Sequence, residues 1–397
     1  MSETQFRSNV RAWLSERFSP RDPQHDDDRV DIITRTRDGH RALIDRAVGL
    51  QGDLHSAGFV GCRLPIEYGG QGLTRRHDEI VAEELSLVEA PTMRPLTIGM
   101  SLVLPTLMGA GSHEQCLKFL PRLVSGQAIW CQLFSEPDAG SDLVALRTTA
   151  VRDGESWVVS GQKVWSSLAS DASYGILLAR TDPHAAKPHT GITMFIIAMD
   201  LPGVTVRPLV DIAGGHHFNE VFLDEVVLGD SDVIGEVNRG WQIANGTLSG
   251  ERSGYLGGSG NGRRRRQTEA ALDRSALRHN LVARQRVADV VARELILEWL
   301  AARIEAGGIN TATAQATNPA VGSLVKVAAG NLEQRSAELV IDLLGAQGIA
   351  WAGSDRDGDI AAHSLNASRQ ATIAGGTHQI QRNLIGERLL DLPREPR

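Results

Sequence analysis

Cysteine is scarce in this sequence. The 397 residues include only Cys62, Cys116 and Cys131, which are odd in number, far apart and not arranged as C-x-x-C. A disulfide framework or a zinc cluster needs paired or closely spaced cysteines, so neither is indicated. Because this cysteine usage is typical of a reducing compartment, we expect a cytoplasmic protein.

An excess of basic residues is also absent. Lys and Arg number 41 and Asp and Glu number 48, which gives a formal net charge of −7. A protein that binds the phosphate backbone of nucleic acids needs a positive surface. The one basic run, Arg263 to Arg266, follows a glycine-rich stretch and is interpreted as a solvated loop. We therefore expect no nucleic-acid partner.

Long apolar runs and the common nucleotide-binding and hydrolase motifs are missing as well. No apolar segment reaches the ~18 residues needed to cross a bilayer, and the charged N-terminal stretch lacks the apolar region of a signal peptide. We expect no membrane partner. The sequence has no G-x-G-x-x-G after a strand, no G-x-x-x-x-G-K-[ST], no H-E-x-x-H and no G-x-S-x-G. A nucleotide cofactor would therefore require a scaffold other than the Rossmann or P-loop type.

Three regions of different texture follow one another along the chain. Residues 1–127 show helical apolar periodicity broken by glycine and proline turns. Residues 128–240 contain short apolar or alternating runs, and residues 241–397 return to a helical period. This order predicts a helical N-terminal domain, a β middle domain and a helical C-terminal domain with these boundaries.

The middle region has clear strand signals. TTAVRDGESWVVSGQKVW alternates β-branched and polar residues on both sides of Asp153-Gly154, a dipeptide suited to a tight hairpin because it tolerates positive φ. The strands predicted after this hairpin cover residues 176–180, 193–199 and 219–228. In the C-terminal region, one side of a predicted long helix carries Val287, Val290, Val291 and Leu295.

A series of motifs, in order, resembles the acyl-CoA dehydrogenases. LFSEPDAGSD at 133–142, then DGESWVVSGQKVWSS at 153–167 and LLARTD, is similar to the central β-domain of that family. The resemblance continues through PIEYGGQG at 65–72, G-x-G-S-x-x-Q at 109–115, GEVNRGW at 235–241 and GGTHQIQRNLIGERLL near the C-terminus. It implies an acyl-CoA dehydrogenase-like fold, with an all-α N-terminal domain, a β-barrel-like middle domain and a C-terminal four-helix bundle enclosing FAD and an acyl-CoA thioester.

The resemblance also implies a reaction and a set of site residues. The family transfers the α-proton of the thioester to a carboxylate and the β-hydride to flavin N5, which gives the trans-2-enoyl-CoA. By resemblance, the cofactor-binding residues are Leu133, Phe134, Ser135, Gly140, Ser141, Trp165, Ser167, Thr377 and Gln379. Within this set, Ser135 lies at the isoalloxazine edge, Ser167 lies near N5 and Trp165 covers one ring face. Ser141 and Arg252 are assigned to substrate binding.

The catalytic carboxylate is where the sequence departs from most of the family. Residues 374–377 read AGGT where most members have a Tyr-Glu-Gly-Thr-like loop, and glycine cannot abstract a proton. Some members, including the isovaleryl- and long-chain-type enzymes, carry the base on a helix in a Leu-x-x-Glu-Arg pattern, matched here by LSGER at 248–252. Glu251 is therefore the candidate base, while Gly375 keeps the backbone N–H that in the family stabilises the enolate. The missing side chain at 375 also suggests a bulky or branched acyl group.

A second departure concerns the adenine and pyrophosphate end of FAD. In homotetrameric members a neighbouring subunit lends an R-x-x-F-G motif and a Gln from a Q-x-x-G-G-x-G turn. Here no R-x-x-F-G follows Arg266, and Asp342 stands where the Gln is expected, which would repel a pyrophosphate. This split resembles the heteromeric acyl-CoA dehydrogenases of bacterial steroid and dicarboxylate catabolism. The resemblance implies a paralogous subunit in an α2β2 heterotetramer, an acyl-CoA substrate and an electron-transfer flavoprotein or similar acceptor.

Two other functions remain open on the sequence alone. Gly375 and the missing motif also fit a non-catalytic structural subunit that stabilises an active paralogue, although retention of the flavin segment and of Glu251 argues against it. The other is a flavin oxidase or monooxygenase on the same fold. No metal is expected, because His216 and His217 lack a third ligand at a suitable spacing.

Overall fold

The computed structural model describes residues 2–21, 37–248, 262–306, 320–350 and 356–394. Contacts divide the chain into two units. The first unit comprises Met1–Asp211 and Gly215–Thr247, and the second comprises Ile212–Gly214 and Leu248–Arg397. The first unit therefore contains both the N-terminal helical region and the β region, and the second contains most of the C-terminal helical region.

The helices of the first unit lie mostly before its strands. They are α1 (Glu3–Ser15), α2 (Arg37–Ser56), α3 (Arg75–Leu85), α4 (Leu104–Ala110) and α5 (His113–Val124), with a further helix α6 over residues 240–248.

The start of α5 explains the G-x-G-S-x-x-Q pattern. Ser112 Oγ accepts a hydrogen bond from the Gln115 backbone N–H at 3.1 Å, and Gln115 Oε1 accepts one from the Ser112 backbone N–H at 3.0 Å. These reciprocal bonds are a capping box. Gln115 Nε2 also donates to the backbone oxygens of Ser231 and Val233 at 2.8 and 2.9 Å. The motif thus begins the helix and ties it to a distant part of the first unit.

Eight strands of the first unit form one sheet. They are β1 (Trp130–Leu133), β2 (Thr149–Asp153), β3 (Ser156–Lys163), β4 (Tyr174–Arg180), β5 (Ile192–Ala198), β6 (Val204–Leu209), β7 (Phe218–Gly229) and β8 (Val233–Ile234). The strand order is β6-β7-β3-β2-β4-β5-β8, and β1 pairs with β4 in parallel. The predicted hairpin is confirmed as β2 and β3, with Gly154 at φ 59° in the turn. The other predicted strands correspond to β4, β5 and β7.

The sheet is not closed as a barrel, which corrects the barrel-like expectation for the middle domain. Among the described strands, β6 pairs only with β7, and β8 pairs only with β5. One face of the sheet packs a core that includes Leu133, Trp157, Val159, Leu177, Phe195 and Val221.

The second unit is helical, as predicted. Its described helices are α7 (Arg263–Arg274), α8 (Leu281–Glu305), α9 (Val321–Leu344), α10 (Arg356–Ala367) and α11 (His378–Leu389). Helices α7, α8 and α9 pack against one another, and α10 and α11 pack against α9. On α8, Val287 and Val290 are buried as expected, but Leu295 is only partly buried and Leu297 takes the inward position.

The basic run Arg263 to Arg266 is not a solvated loop, so that prediction is wrong. It begins α7, and Arg264 is only 7% exposed. Arg264 Nε donates to Glu333 at 2.8 Å, and the Arg265 backbone N–H donates to the buried carboxylate of Glu294 at 2.8 Å. Carboxylates on the neighbouring helices therefore draw the run into the bundle, and a carboxylate at the start of α7 also complements the helix dipole.

The three cysteines are buried free thiols. Burial raises the pKa of both Cys62 and Cys131 to about 12, so these thiols stay protonated at neutral pH. Within the described ranges, no helix combines the length and apolarity needed to cross a membrane. The same ranges contain no group of three His, Cys, Asp or Glu side chains placed to hold a metal ion.

Candidate active site

The end of β1 carries the first predicted flavin-binding residues. Leu133 is fully buried and Phe134 is 4% exposed, whereas Ser135 is half-buried. The Ser135 backbone oxygen accepts a hydrogen bond from the Val164 backbone N–H at 2.9 Å. Because the side chains of Leu133 and Phe134 lie in the core, only their backbone groups can serve a ligand. The Ser135 side chain is the one of the three that reaches the surface.

A buried ion pair lies directly behind this strand end, and the sequence reasoning missed it. Lys163 is fully buried, and its Nζ donates to Glu136 at 2.7 Å and to the Phe134 backbone oxygen at 3.1 Å. Glu136 also accepts hydrogen bonds from the backbone N–H groups of Arg147 and Thr148, at 2.6 and 2.9 Å. A buried charge needs partners of this kind, so the pair fixes the backbone of the SEPDAGS segment. The sequence signal was a Lys in an apolar strand and a Glu in the motif before it.

The protonation of this pair follows from its surroundings. Burial lowers the pKa of Lys163 to about 8, although the neighbouring Glu136 opposes the change. Burial alone would raise the pKa of Glu136, but the Lys163 charge and the hydrogen bonds that the carboxylate accepts hold that pKa below its ordinary value. Both groups are therefore mainly charged at pH 7.

Gly140 and Ser141 directly follow a tight turn that begins at this pair. The turn spans residues 136–139 and closes through two backbone hydrogen bonds of 3.1 Å between Glu136 and Ala139. Both residues are exposed, and a Cβ added to Gly140 would meet no atom within 4 Å. Packing within the described chain therefore gives no reason for glycine here, which is consistent with the predicted close approach of a ligand.

Trp165 and Ser167 lie in the segment just after β3. Trp165 has φ 59°, and its indole is 59% exposed, an unusual state for so large an apolar side chain. Its ring contacts Phe218 edge to face, with centroids 5.7 Å apart. Ser167 is half-buried. The segment thus presents an aromatic ring and a nearby hydroxyl at the surface of the first unit.

Buried polar atoms near this segment support a ligand site. Ser166 Oγ and Asn219 Oδ1 are buried and have no hydrogen-bond partner among the described residues. Buried polar atoms are nearly always paired in native proteins. Together with the exposed indole of Trp165, these atoms fit a planar group with a polar edge such as an isoalloxazine.

The second unit contains residues 374–377, where the sequence has no carboxylate. Gly375 has φ 67° and Gly376 has φ 91°, conformations that glycine adopts most readily. The fully buried Gln381 donates from Nε2 to the Gly375 backbone oxygen at 2.8 Å. Thr377 is the N-cap of α11, and its hydroxyl accepts a hydrogen bond from the Ile380 backbone N–H at 3.3 Å. Gln379, in contrast, is exposed.

His378 lies between these residues in sequence and is 5% exposed. A Cβ on Gly330 of α9 would lie 2.5 Å from His378 Nε2, so the absence of a side chain at Gly330 makes room for the imidazole. Burial lowers the pKa of His378, and the nearby charges of Lys326 and Arg382 lower it further. The ring is therefore neutral at pH 7.

Gln379 and Gln381, both at the start of α11, give a matched test of structural and cofactor roles. Gln381→Leu is expected to lower the free energy of unfolding of the cofactor-free protein by about 1–3 kcal/mol, because the Gly375 carbonyl loses its buried donor. The exposed Gln379→Leu should change it by less than about 0.5 kcal/mol, and should instead weaken FAD binding if its predicted role is right. Urea unfolding and FAD titration of both variants measure the two effects. Equal unfolding free energies for the two variants would contradict the structural role of Gln381.

Glu251 and Arg252, the candidate base and a predicted substrate residue, lie outside the described residues. The described chain stops at residue 248 on α6 and resumes at Gly262, immediately before α7.

A cavity of about 720 Å³ in the first unit contains none of the predicted site residues. Its charged lining consists of Arg37, Arg41, Arg122, Asp38, Asp171 and Asp200, with two histidines, His40 and His216. Three arginines are matched by three aspartates, so formal side-chain charge selects no class of ligand.

The comparisons with known proteins cover all three regions. Models of the acyl-CoA dehydrogenase N-terminal, middle and C-terminal domains match residues 2–127, 131–226 and 238–390. The acyl-CoA dehydrogenase IpdE1 of Mycobacterium tuberculosis is 33% identical over 395 residues, 98% of each chain. The acyl-CoA dehydrogenase FadE34 of the same organism is 37% identical over 342 residues, 86% of this chain but 46% of that longer protein.

Solved structures are also similar to this chain over nearly its whole length. A structure titled Tcur3481-Tcur3483 steroid ACAD superposes with a TM-score of 0.77 and 25% identity, covering 99% of this chain and 98% of that one. The ChsE4-ChsE5 complex from Mycobacterium tuberculosis has a TM-score of 0.75 and 26% identity over 99% and 98% of the two chains. The matched domains and full-length relatives show that this chain belongs to the acyl-CoA dehydrogenase family and is an oxidoreductase acting on acyl-CoA.

Proposed function

We propose that the chain catalyses the FAD-dependent α,β-dehydrogenation of an acyl-CoA thioester to the trans-2-enoyl-CoA. The observation that carries the proposal is the exposed indole of Trp165, which has a positive φ and lies near buried polar atoms that lack partners among the described residues. A structural subunit with no cofactor would gain nothing from exposing this ring or leaving these atoms unpaired, since both are unfavourable.

The first unit would hold the isoalloxazine with the residues described above. Trp165 would cover one face of the ring, and Ser167 would lie near N5. The edge of the ring would form hydrogen bonds with Ser135 and with the backbone of Leu133 and Phe134. In the same unit, Gly140 and Ser141 would contact the pyrophosphate or the CoA. The resemblance also assigns Thr377 and Gln379 to cofactor binding. Bound FAD would supply the acceptor for the β-hydride.

The chain's own acid–base chemistry is assigned to two residues. Glu251 would take the α-proton as the general base, and Arg252 would bind substrate beside it. The Gly375 backbone N–H would donate to the thioester oxygen and stabilise the negative charge that develops there. Because Gly375 has no side chain, we propose a bulky acyl group, in line with the structural neighbour named as a steroid ACAD.

A paralogous partner is proposed for the adenine end of FAD. Asp342, which replaces the expected Gln, accepts a hydrogen bond of 2.6 Å from Arg286, and both side chains are about half exposed. An ionised carboxylate can accept but not donate hydrogen bonds, so Asp342 cannot serve a phosphate as a glutamine amide would. Two structural neighbours are named as pairs of different chains. We therefore propose an α2β2 heterotetramer in which the partner supplies the missing contacts, and an electron-transfer flavoprotein or similar protein as the electron acceptor.

Anaerobic reduction of the flavin tests the proposal. The chain is purified alone and together with a paralogue encoded in the same operon, loaded with FAD, and mixed with straight-chain, branched and steroid side-chain acyl-CoA thioesters. We expect full FAD occupancy only with the partner, and loss of the oxidised flavin absorbance with a bulky acyl-CoA.

Each alternative function or assembly predicts a different outcome of this experiment. Bound FAD that no acyl-CoA reduces would contradict the dehydrogenase, and a need for a second reductant and oxygen would indicate a monooxygenase. Failure of this chain to bind FAD in the complex would indicate a structural subunit. Full occupancy and turnover as a homo-oligomer would contradict the heteromeric assembly but leave the dehydrogenation intact.

A further inference from the structure

The segment that carries Trp165 leaves β3 through a bulge against β7. Lys163 is in register with Val221, and the next backbone hydrogen bond runs from the Ser166 N–H to the Asn219 oxygen at 3.0 Å. Two residues, 164 and 165, therefore stand opposite the single residue 220. A bulge of this kind bends a strand and redirects a side chain, often beside an active site. Here the redirected side chain is the indole of Trp165.

The side chain of Asn219 holds this bulge. Asn219 is fully buried, and its Nδ2 donates to the Ser166 backbone oxygen at 3.0 Å and more weakly to the His217 oxygen at 3.5 Å. Since both neighbours are carbonyls, only the amide NH₂ can face them. The Ser166 segment is thus bonded to Asn219 twice, once through the backbone and once through the side chain.

The backbone of the segment that carries Trp165 is strained. Trp165 at φ 59° and Leu168 at φ 62° are both in the left-handed region, which is unfavourable for residues other than glycine. Such conformations persist only where the surrounding structure fixes them, and they occur preferentially at functional sites. The Leu168 backbone N–H donates to the His217 oxygen at 2.9 Å, so the segment is fixed on both sides of Ser167.

We infer that Asn219 is a positioning residue for the flavin segment: its amide fixes the bulge that presents the Trp165 indole and the Ser167 hydroxyl to the cofactor. This inference rests on the proposed FAD site. The hydrogen bonds themselves belong to the first unit alone and can be tested without cofactor.

Asn219→Asp is the sharpest variant because it keeps the shape of the side chain and replaces the NH₂ donor with a carboxylate oxygen. At pH 8 its carboxylate would face two carbonyl oxygens and repel them. We expect the dissociation constant of FAD in the assembled complex to rise about tenfold or more, with a changed visible circular dichroism band of the bound flavin. Asn9→Asp on α1 is the control, since Asn9 is exposed and its Oδ1, which an aspartate retains, accepts from Gln5 Nε2 at 2.9 Å.

The pH dependence distinguishes positioning from a general loss of structure. A carboxyl buried against carbonyl oxygens has a raised pKa, by up to several units. Once protonated it is again a donor, so the FAD affinity of Asn219→Asp should recover towards the wild-type value as the pH falls from 8 to about 5.5. Asn219→Leu should not recover. His217, which lies 3.6 Å from Asp211, and Glu220, which accepts from Gln162, are the same in every variant, so comparison with the wild type removes their contribution.

A second readout uses the cofactor-free protein. The fluorescence of Trp165 is isolated as the difference between each protein and its Trp165→Phe derivative, and its quenching by acrylamide reports the exposure of the indole. We expect Asn219→Asp to change this quenching and Asn9→Asp to leave it unchanged. If Asn219→Asp does not fold at pH 8, Asn219→Gln, which displaces the amide by one methylene, is expected to show the same losses.

The outcomes separate this inference from the proposed function. Wild-type FAD affinity and unchanged Trp165 quenching in a folded Asn219→Asp would overturn the inference. A wild-type protein that binds no FAD would contradict the proposed function, while the quenching comparison would still decide whether Asn219 fixes the segment.

Discussion

Replacing Glu251 with glutamine is expected to slow reduction of the bound flavin by acyl-CoA about 10²- to 10⁴-fold, the usual contribution of a general base. The sequence offers no carboxylate at residues 374–377. Gly375, with φ 67°, can supply only its backbone there. Glutamine keeps the size of the side chain, so FAD content should not change. Stopped-flow absorbance under anaerobic conditions, at equal FAD content, measures the effect.

Two further variants control this result. Glu269→Gln removes an exposed carboxylate of α7 and should reduce at the wild-type rate. Gly375→Glu, made in the Glu251→Gln background, returns a carboxylate to the loop and should restore part of the rate. The left-handed conformation at 375 would cost such a residue about 1–2 kcal/mol. A Glu251→Gln protein that reduces as fast as the wild type would exclude Glu251 as the base.

Local sequence patterns predicted much of the fold. The alternation around Asp153-Gly154 located the β2–β3 hairpin, and the helical period of the C-terminal region located α8. These features depend on residues close in sequence, whose spacing alone decides which side chains share a face. The open edges of the sheet could not be found in this way, because strand pairing is a long-range property.

The residues of the candidate site were likewise predicted only in part from the sequence. The sequence motifs pointed to Trp165 and Gly375, but not to the residues that fix them. Gln381 was overlooked in favour of the exposed Gln379, since sequence alone does not show which of the two is buried. The basic run at 263–266 was misjudged for the same reason: its carboxylate partners, Glu294 and Glu333, lie on other helices, about 30 and 70 residues away in sequence.

Lys163→Met is expected to lower the free energy of unfolding by about 3–5 kcal/mol, the usual cost of removing one partner of a buried ion pair. The loss arises because the Glu136 carboxylate stays buried without its cation, and the Phe134 oxygen loses its donor. Arg147→Met breaks the neighbouring pair with Asp138, whose side chains are 79% and 73% exposed. That control should cost less than about 1 kcal/mol. Urea unfolding measures both, and equal losses would contradict a special role for the buried pair.

The loss of unfolding free energy in Lys163→Met should depend on pH in a definite direction. The pKa of Glu136 is lower in the folded protein than its ordinary value, so the ionised carboxylate contributes stability above the unfolded pKa of about 4.3. This contribution is lost as the pH falls through the lower, folded pKa. In Lys163→Met the cation that depresses this pKa is gone and burial raises the carboxyl pKa instead, so the difference in unfolding free energy from the wild type should shrink as the pH falls from 7 to below the ordinary carboxyl pKa of about 4.3. A Glu136→Gln/Lys163→Met protein, which leaves no buried charge, should be more stable than Lys163→Met alone. A double variant less stable than Lys163→Met alone would instead show that the hydrogen bonds that Glu136 accepts from the backbone of Arg147 and Thr148 matter more than its charge pairing.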